Sequence, residues 1–296
     1  MAPLDEHASD PAIVSIRDPR ERELATLEWS GRLELLRARI RALGRVVVAY
    51  SGGVYSSVVL RVAHEQLGAG ALGVIGRSDS YAVRELDLAL GQAAEFGAAV
   101  EVVTTGELAN PAFAANAPDR CYHCKSELHR QLADVAARIG AAAVLDGTIA
   151  DDLADWRPGR RASDERGVIS PLAELGFRKS DVRAVAAHFA LASRAKPASP
   201  CLASRIPYGV AITRDILARV EQAEESLRAL GFTELRVRHH GDVARIEVPE
   251  AAIALLLEPG VRQAVVTAVR KAGYVFVSLD LEGFRSGSLN RPLRLS

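Results

Sequence analysis

Several features are missing from this 296-residue sequence, and each absence argues against a class of protein. No apolar run approaches the length needed to cross a bilayer, and the charged, alanine-rich N-terminus lacks the apolar segment of a secretory signal. Charge of one sign is not in excess, because 37 lysines and arginines balance 37 aspartates and glutamates. No global field would therefore attract a polyanion such as tRNA or DNA. We expect a cytoplasmic protein without a membrane or nucleic-acid partner.

Cysteine is scarce, with Cys121, Cys124 and Cys201 alone in the chain. An odd number of cysteines in a chain expected to be intracellular argues against a disulfide framework. Two residues separate Cys121 from Cys124, so both thiolates can point at one metal centre. Three thiolates can hold zinc with a fourth ligand such as His123, or a [4Fe–4S] cluster with one iron left open. The spacing alone leaves unconnected buried cysteines, a zinc site and a redox pair as alternatives.

What the sequence does contain is an alternation of apolar strands and helix-like segments. Residues 1–20 are polar and predict a mobile arm, and residues 23–43 predict an amphipathic helix that stops at Gly44. Uniformly apolar strands separated by helices predict a parallel sheet with helices on both faces, in an α/β domain spanning residues 21–206. The predicted strands are Val46–Tyr50, Ala71–Ile75, Ala99–Val103 and Ala142–Leu145.

A different pattern follows Arg205, and it predicts a smaller α+β unit over residues 207–296 with a boundary within residues 207–213. The order of elements is α-β-β-α-β. The segments are a helix over Thr213–Leu230, strands in residues 234–240 and 243–248, a helical stretch over Pro249–Ala272 interrupted at Pro259–Gly260, and a strand in residues 274–283.

The first strand runs into a glycine-rich loop, "VVVAYSGGVYSS" at residues 46–57. Ser51, Gly52 and Gly53 offer backbone N–H groups with little obstruction, and Ser56 and Ser57 add hydroxyls where the next helix begins. Together these groups predict a phosphate site at a helix N-terminus. The loop lacks the lysine of a Walker motif. A tight turn that needs glycine for steric reasons is the alternative.

This loop resembles the SGGxDS loop of PP-loop ATP pyrophosphatases, the adenine nucleotide alpha hydrolase-like fold. Further motifs, in the same order, resemble the LarE family, the sulfur transferase that helps make the nickel-pincer cofactor of lactate racemase. The resemblance covers about residues 25–290. Its motifs are "DRCYHCKSEL" (119–128), "DGTIADDLADWRPGRRA" (146–162), "SPLAELGFRKSDVR" (170–183), "KPASPCLASRIPYG" (196–209) and "FRSGSLN" (284–290).

The resemblance implies a reaction that starts from ATP, Mg²⁺ and a pyridinium dicarboxylate mononucleotide. A carboxylate attacks the α-phosphorus of ATP, which gives an acyl adenylate and pyrophosphate. A sulfur nucleophile then displaces AMP and leaves a thiocarboxylate, and the second carboxylate follows the same course. A sulfur donor and a homo-oligomer, such as a hexamer, are further partners that the resemblance implies.

The source of the sulfur differs between two branches of this family. One branch has only the cysteine that matches Cys201 and sacrifices its sulfur, whereas the other has three cysteines and a [4Fe–4S] cluster whose open iron binds sulfide. Because this chain has all three, the resemblance favours the cluster branch, with Cys121, Cys124 and Cys201 as cluster ligands and catalytic residues. Zinc is the weaker alternative, and His123 is expected to be structural.

The mononucleotide substrate requires a phosphate clamp, and guanidinium forks suit phosphate oxygens. Candidate clamp residues are Ser204, Arg205, Arg236 and Arg238, although an exposed polar strand face explains the last two equally well. For Mg²⁺ the candidates are Asp151 and Asp152 with their neighbour Asp155, which could instead cap a helix, and Glu224, which at mid-helix is usually solvated.

Two positions depart from the family pattern. Tyr55 stands where the loop normally has an aspartate, and Arg194–Ala195 stands where a Trp–Asp pair is common. A neutral phenol cannot supply the charge with which a carboxylate organises Mg²⁺ and the leaving pyrophosphate. A nucleotide- or cluster-binding relative that no longer cleaves ATP is therefore one rival interpretation. A tRNA thiolase is another, which the neutral net charge disfavours.

Overall fold

The structure is a computed structural model that describes residues 27–153, 158–197, 200–285 and 289. The predicted arm, residues 1–20, lies outside the described residues. The first helix, α1, covers Trp29–Leu43 and buries Leu33, Leu36 and Ile40 at helical spacing. It begins later than predicted, and residues 27 and 28, which the prediction included, are not helical. Its end at Gly44 was predicted correctly.

A four-stranded parallel sheet forms the centre of the first unit, in the order β3-β2-β1-β4. Its strands are β1 (Val46–Ala49), β2 (Ala71–Arg77), β3 (Ala99–Thr104) and β4 (Ala143–Leu145). The helices that accompany it are α2 (Val54–Leu67), α3 (Val83–Glu95), α4 (Pro111–Ala114), α5 (Arg120–Ile139), α6 (Pro158–Glu165), α7 (Pro171–Glu174) and α8 (Lys179–His188).

Both faces of this sheet are covered, as the uniformly apolar strands predict. Val46 and Val48 pack into a cluster with residues of α1, α2, α3 and α8. Val47, between them, packs on the opposite face against Leu132 and Val135 of α5. Since successive strand residues point to opposite faces, a strand enclosed on both sides must be apolar throughout.

The second unit contains a three-stranded sheet in the order β5-β6-β7. Strands β5 (Arg236–His240) and β6 (Val243–Glu247) are antiparallel, and β7 (Phe276–Leu279) runs parallel to β6. The helices are α9 (Arg214–Ala229), α10 (Glu250–Leu257) and α11 (Pro259–Lys271). The predicted α-β-β-α-β order is confirmed, and Pro259 begins α11 as predicted for the interruption.

A separate apolar cluster joins the two units. It contains Phe113 of α4, Leu202 and Ile206, and Leu217 and Val220 of α9. Cys124 and Cys201 pack against this cluster. The segment that carries Cys201 is therefore held between the two units, and the boundary within residues 207–213 stays a prediction.

Within the described ranges, no single helix has the length and apolar character that a bilayer crossing requires. The pair α10 and α11, bent by 95°, meets that requirement only when the two helices are taken together, on length and composition.

Gly52 in the glycine-rich loop accepts no side chain. Its φ is +66°, and a Cβ would lie 2.5 Å from the Cβ of Ala89 in α3. We predict that Gly52→Ala lowers the free energy of unfolding by about 2 to 6 kcal/mol, through backbone strain and overpacking together. Chemical denaturation measures this loss.

Gly140 provides the matched control, because it is left-handed at φ +64° but a Cβ there would have no atom within 4 Å. Gly140→Ala should cost only the strain, about 1 to 2 kcal/mol. Adding Ala89→Gly to Gly52→Ala should restore part of the stability. Equal losses for the two alanine variants would contradict the close approach of Gly52 to α3.

Candidate functional site

The glycine-rich loop connects β1 to α2 at the carboxyl end of an inner strand. Gly53 precedes α2 in an extended conformation, and no side chain caps the first turn of that helix. Backbone N–H groups in the first turn of a helix have no intrahelical acceptor and attract anions. The loop therefore has the features of a phosphate cradle.

The two serines that follow differ from their predicted role. Ser57 is fully buried, donates to the Gly53 carbonyl at 2.8 Å and accepts from Gln92 Nε2 at 2.5 Å. Ser56 Oγ accepts from the Ser51 N–H at 3.1 Å and lies 3.2 Å from the Gly53 carbonyl. These hydroxyls hold the loop in shape, and Ser57 in particular is enclosed too deeply to contact a ligand.

Tyr55 occupies the second position of α2 and packs, half-buried, against the main apolar cluster. Tyr81 supports the loop from the other side, because its hydroxyl donates to the Ser51 carbonyl at 3.0 Å. Burial raises the pKa of Tyr81, so its phenol stays a donor at neutral pH. Tyr81 was not identified from the sequence, since a single tyrosine after a strand carries no pattern.

A cavity of about 330 Å³ extends from this loop toward the second unit. Its lining has five basic side chains against two carboxylates, and Arg236 among them forms no ion pair in the described residues, which suits an anionic ligand. Lys196 pairs with Glu85 across it at 2.7 Å. The charged lining residues are Arg84, Glu85, Lys196, Arg205, Arg228, Glu234 and Arg236, while Gly52 and Phe284 lie among the uncharged ones.

Cys201 borders a smaller cavity of about 20 Å³ that adjoins the larger one. The two cavities share Arg84, Glu85, Pro200, Arg205 and Arg228. Cys201 thus borders a cavity that shares five lining residues with the cavity that Gly52 lines.

The structure brings the three cysteines into one neighbourhood. Cys121 and Cys124 lie in the first turns of α5, and Cys124 shares an apolar environment with Cys201. Loss of hydration raises the pKa of Cys121, although this residue keeps an exposed surface, and of the half-buried Cys124, and the nearby Cys201 raises both further. Among the residues that the structure describes, however, no group of three or more histidine, cysteine, aspartate and glutamate side chains is arranged as metal ligands.

Asn116 joins the start of α5 to the segment after Cys201. It is fully buried, and its side-chain amide donates to the carbonyls of Pro207 at 2.7 Å and Val210 at 2.9 Å. Its side-chain oxygen accepts from Arg120 at 2.7 Å. Asn116 was missed from the sequence, because its partners lie about ninety residues away.

The arginines proposed as a phosphate clamp fall into two groups. Arg205 forms a bidentate pair with Glu224, at 2.8 and 3.0 Å, and also bonds Ser204 Oγ at 3.0 Å. Arg238 pairs with Glu247 in the same way, at 2.9 and 2.8 Å. Within the described residues, Arg236 forms no ion pair and instead stacks on Phe284. Arg236 is therefore the clamp candidate whose guanidinium is not engaged by a carboxylate.

The carboxylates proposed for Mg²⁺ differ in how far protein groups already engage them. Both oxygens of Glu224 accept hydrogen bonds, from Arg205, from Arg228 and from the Val237 N–H, so this mid-helix glutamate is buried rather than solvated. Asp151 accepts from the Lys179 N–H at 2.9 Å. Asp152, which is buried, accepts from the Ile149 N–H at 3.4 Å. Asp155 lies outside the described residues.

Three features together define an α/β protein of the PP-loop fold. They are a parallel sheet with a glycine-rich loop after an inner strand, a helix that starts from this loop, and a cavity at the strand ends. Comparison with individual known proteins identifies the family within that fold, although no protein-family model matches the chain.

Three relatives cover most of the chain. A pyridinium-3,5-bisthiocarboxylic acid mononucleotide synthase from Lactiplantibacillus plantarum is 43% identical over 257 residues, 86% of this chain and 92% of the relative. An uncharacterised protein from Synechocystis sp. is 45% identical over 262 residues, 88% of this chain and 98% of the relative. Another from Methanocaldococcus jannaschii is 26% identical over 242 residues, 82% of this chain and 91% of the relative. The chain belongs to the LarE family, as its motifs predict.

The ion pair between Arg205 and Glu224 can be tested by its contribution to the free energy of unfolding. Both side chains are nearly inaccessible, with relative exposures of 4% and 2%. Glu224→Gln would leave Arg205 buried without its counter-charge, so we predict a loss of about 3 to 5 kcal/mol in the free energy of unfolding. Glu225→Gln is the matched control, since Glu225 is 42% exposed and pairs with Arg228 at 3.0 Å. It should cost about 1 kcal/mol or less.

The contribution of Glu224 to the free energy of unfolding should decrease as the pH falls. Burial alone would raise the pKa of Glu224, but Arg205, the Val237 N–H and Arg228 outweigh burial and lower it below its ordinary 4.5. The stability that this carboxylate contributes is complete above pH 4.5 and is lost as pH falls through the folded pKa. Denaturation curves should show the gap between wild type and Glu224→Gln narrowing in acid, and a constant gap would contradict the ion pair.

Proposed function

We propose that this chain is an ATP-dependent sulfur transferase that adenylates the carboxylates of a pyridinium dicarboxylate mononucleotide and converts them to thiocarboxylates. One observation carries the proposal. The cavity that begins at Gly52 of the phosphate cradle adjoins the cavity that Cys201 borders. A substrate held there could meet an adenylating nucleotide and a sulfur atom without moving between sites. Membership of the family that includes the L. plantarum synthase supports the choice of substrate.

The glycine-rich loop binds the nucleotide in this proposal. The uncapped N-terminus of α2 directs backbone N–H groups at a phosphate, with Gly52 and Gly53 leaving room for close approach. Lys196 and Arg236 supply positive charge along the cavity, where charge develops on the phosphorus oxygens. Holding the carboxylate and the α-phosphorus together turns their encounter into an intramolecular step.

Cys121, Cys124 and Cys201 are the residues that would hold a [4Fe–4S] cluster. Their chemistry suits such a centre, because three thiols share one neighbourhood and thiolates are the ligands that hold iron–sulfur clusters. When bound, the cluster would supply sulfide on its open iron for repeated transfer.

Two features make the metal arrangement of this chain different from the family pattern: Tyr55 in the loop, and a Glu224 whose two oxygens are both hydrogen-bonded. We infer that the phosphate charge is met mainly by the basic lining of the cavity. We also propose a homo-oligomer, in line with the hexamer that the family resemblance implies. Exposed apolar residues on the second unit, such as Phe276 at 60% and Leu281 at 84%, are available for such contacts.

Pyrophosphate release tests the proposed activity. With ATP and the pyridinium dicarboxylate mononucleotide, we expect wild type to release pyrophosphate, and to release none when the mononucleotide is omitted. Tyr55→Asp should raise the rate about tenfold or more, because a loop carboxylate can organise the metal that neutralises the leaving group.

Three outcomes would contradict the proposal. A silent wild type with an active Tyr55→Asp variant would identify the chain as an impaired relative. If neither protein released pyrophosphate, the proposed adenylation step would be wrong. RNA that co-purifies with the protein would favour a tRNA thiolase.

The metal content of anaerobically prepared protein tests the sulfur site. We expect iron and a visible absorption band in wild type, and loss of both in Cys121→Ser, Cys124→Ser and Cys201→Ser, since each removes one of three ligands. His123→Ala is the control. Its ring faces Asp119 at 3.8 Å, and we expect its iron content to equal wild type. Zinc in place of iron, or loss of metal in the His123 variant, would contradict the cluster assignment.

A further inference from the structure

Arg236 is a buried cation that forms no ion pair within the described residues. Its relative exposure is 5%, close to that of Arg238 at 3% and Arg205 at 4%. Those two arginines each have a bidentate glutamate partner. Arg236 lines the large cavity without such a partner in the described residues. Since a buried charge without a partner is costly, Arg236 is placed to receive an anionic ligand.

Phe284 lies directly against this guanidinium. The Cζ of Arg236 is 4.4 Å from the centroid of the Phe284 ring, and both residues line the cavity. The Phe284 N–H donates to the Val248 carbonyl at 2.8 Å. Gly283, at φ +70°, makes the turn possible, because a Cβ there would lie 2.9 Å from that carbonyl oxygen. The backbone therefore fixes the position of the Phe284 Cα, from which the aromatic side chain extends.

Phe284 lines this cavity from the second unit, whereas the phosphate cradle lines it from the first. Gly52 and Gln92 belong to the first unit, and Thr233, Leu235, Arg236 and Phe284 to the second. A phenyl ring has two faces, and Arg236 covers one of them. Planar aromatic groups stack on such a face, and a cationic ring gains further from the electron-rich π surface.

Building on the proposed function, we propose that Phe284 recognises the substrate's base: the pyridinium ring lies against the Phe284 ring while Arg236 binds the phosphate of the same mononucleotide. This pair distinguishes a mononucleotide with an aromatic, positively charged base from a bare sugar phosphate. ATP binds at the phosphate cradle and does not depend on Phe284.

Calorimetric titration of three ligands into three variants tests this assignment. The ligands are the pyridinium dicarboxylate mononucleotide, ribose 5-phosphate and ATP. Phe284→Leu keeps an apolar side chain but removes the π face, so we expect the mononucleotide to bind about 3- to 10-fold more weakly, with ribose 5-phosphate and ATP unchanged. Phe284→Tyr retains the ring and should bind all three ligands within about twofold of wild type. Arg236→Gln should weaken both the mononucleotide and ribose 5-phosphate.

The results distinguish a failure of the Phe284 assignment from a failure of the proposed function. If wild type binds the mononucleotide and Phe284→Leu binds it equally well, Phe284 is not the ring contact, and the proposed function stands. Equal weakening of all three ligands by Phe284→Leu, or a Phe284→Tyr variant as weak as the leucine variant, would reveal a merely structural residue and overturn the inference. Wild type that binds no mononucleotide would overturn the proposed function and, with it, this inference. Thermal unfolding of each variant shows whether it is folded.

Discussion

The buried ion pair between Arg205 and Glu224 is the constraint on which the arrangement of the site depends. Arg205 follows Cys201 by four residues and also donates to the Pro200 carbonyl at 2.7 Å. Glu224 lies in α9 and accepts the Val237 N–H of β5 at 3.0 Å. One ion pair thus ties the cysteine segment to a helix and to the second sheet. Removing both charges from water is tolerable only because nearly every polar atom of the pair is hydrogen-bonded.

The functional compartment belongs to neither unit alone. The phosphate cradle comes from the first sheet, where strand ends and a helix N-terminus meet as in other open α/β sheets. Arg236 and Phe284 come from the second unit, and Cys201 lies in the segment packed between the two units. Such a compartment can bring an anionic nucleotide, a second phosphate-bearing substrate and a sulfur atom within reach of one another.

Local patterns predicted much of the architecture. The apolar strands, the glycine-rich loop and the break at Pro259 each depend on neighbours in the chain, and the structure has all three. The predictions for Ser57 and Glu224 were less successful. A serine after a glycine loop and a glutamate at mid-helix are usually accessible, but here Gln92 and Arg205, from distant parts of the chain, enclose them.

The sequence by itself determined the family, the parallel sheet, the glycine-rich loop and the set of three cysteines, because these follow from residue types at short spacing. Only the tertiary structure decided which arginines form ion pairs with a carboxylate and which one is available to an anionic ligand. Arg205, Arg236 and Arg238 look alike in the sequence, yet Glu224 and Glu247 pair with Arg205 and Arg238, whereas Arg236 lines the cavity without an ion pair in the described residues. The cost of burying a charge depends on what surrounds it in space, and no spacing along the chain records that.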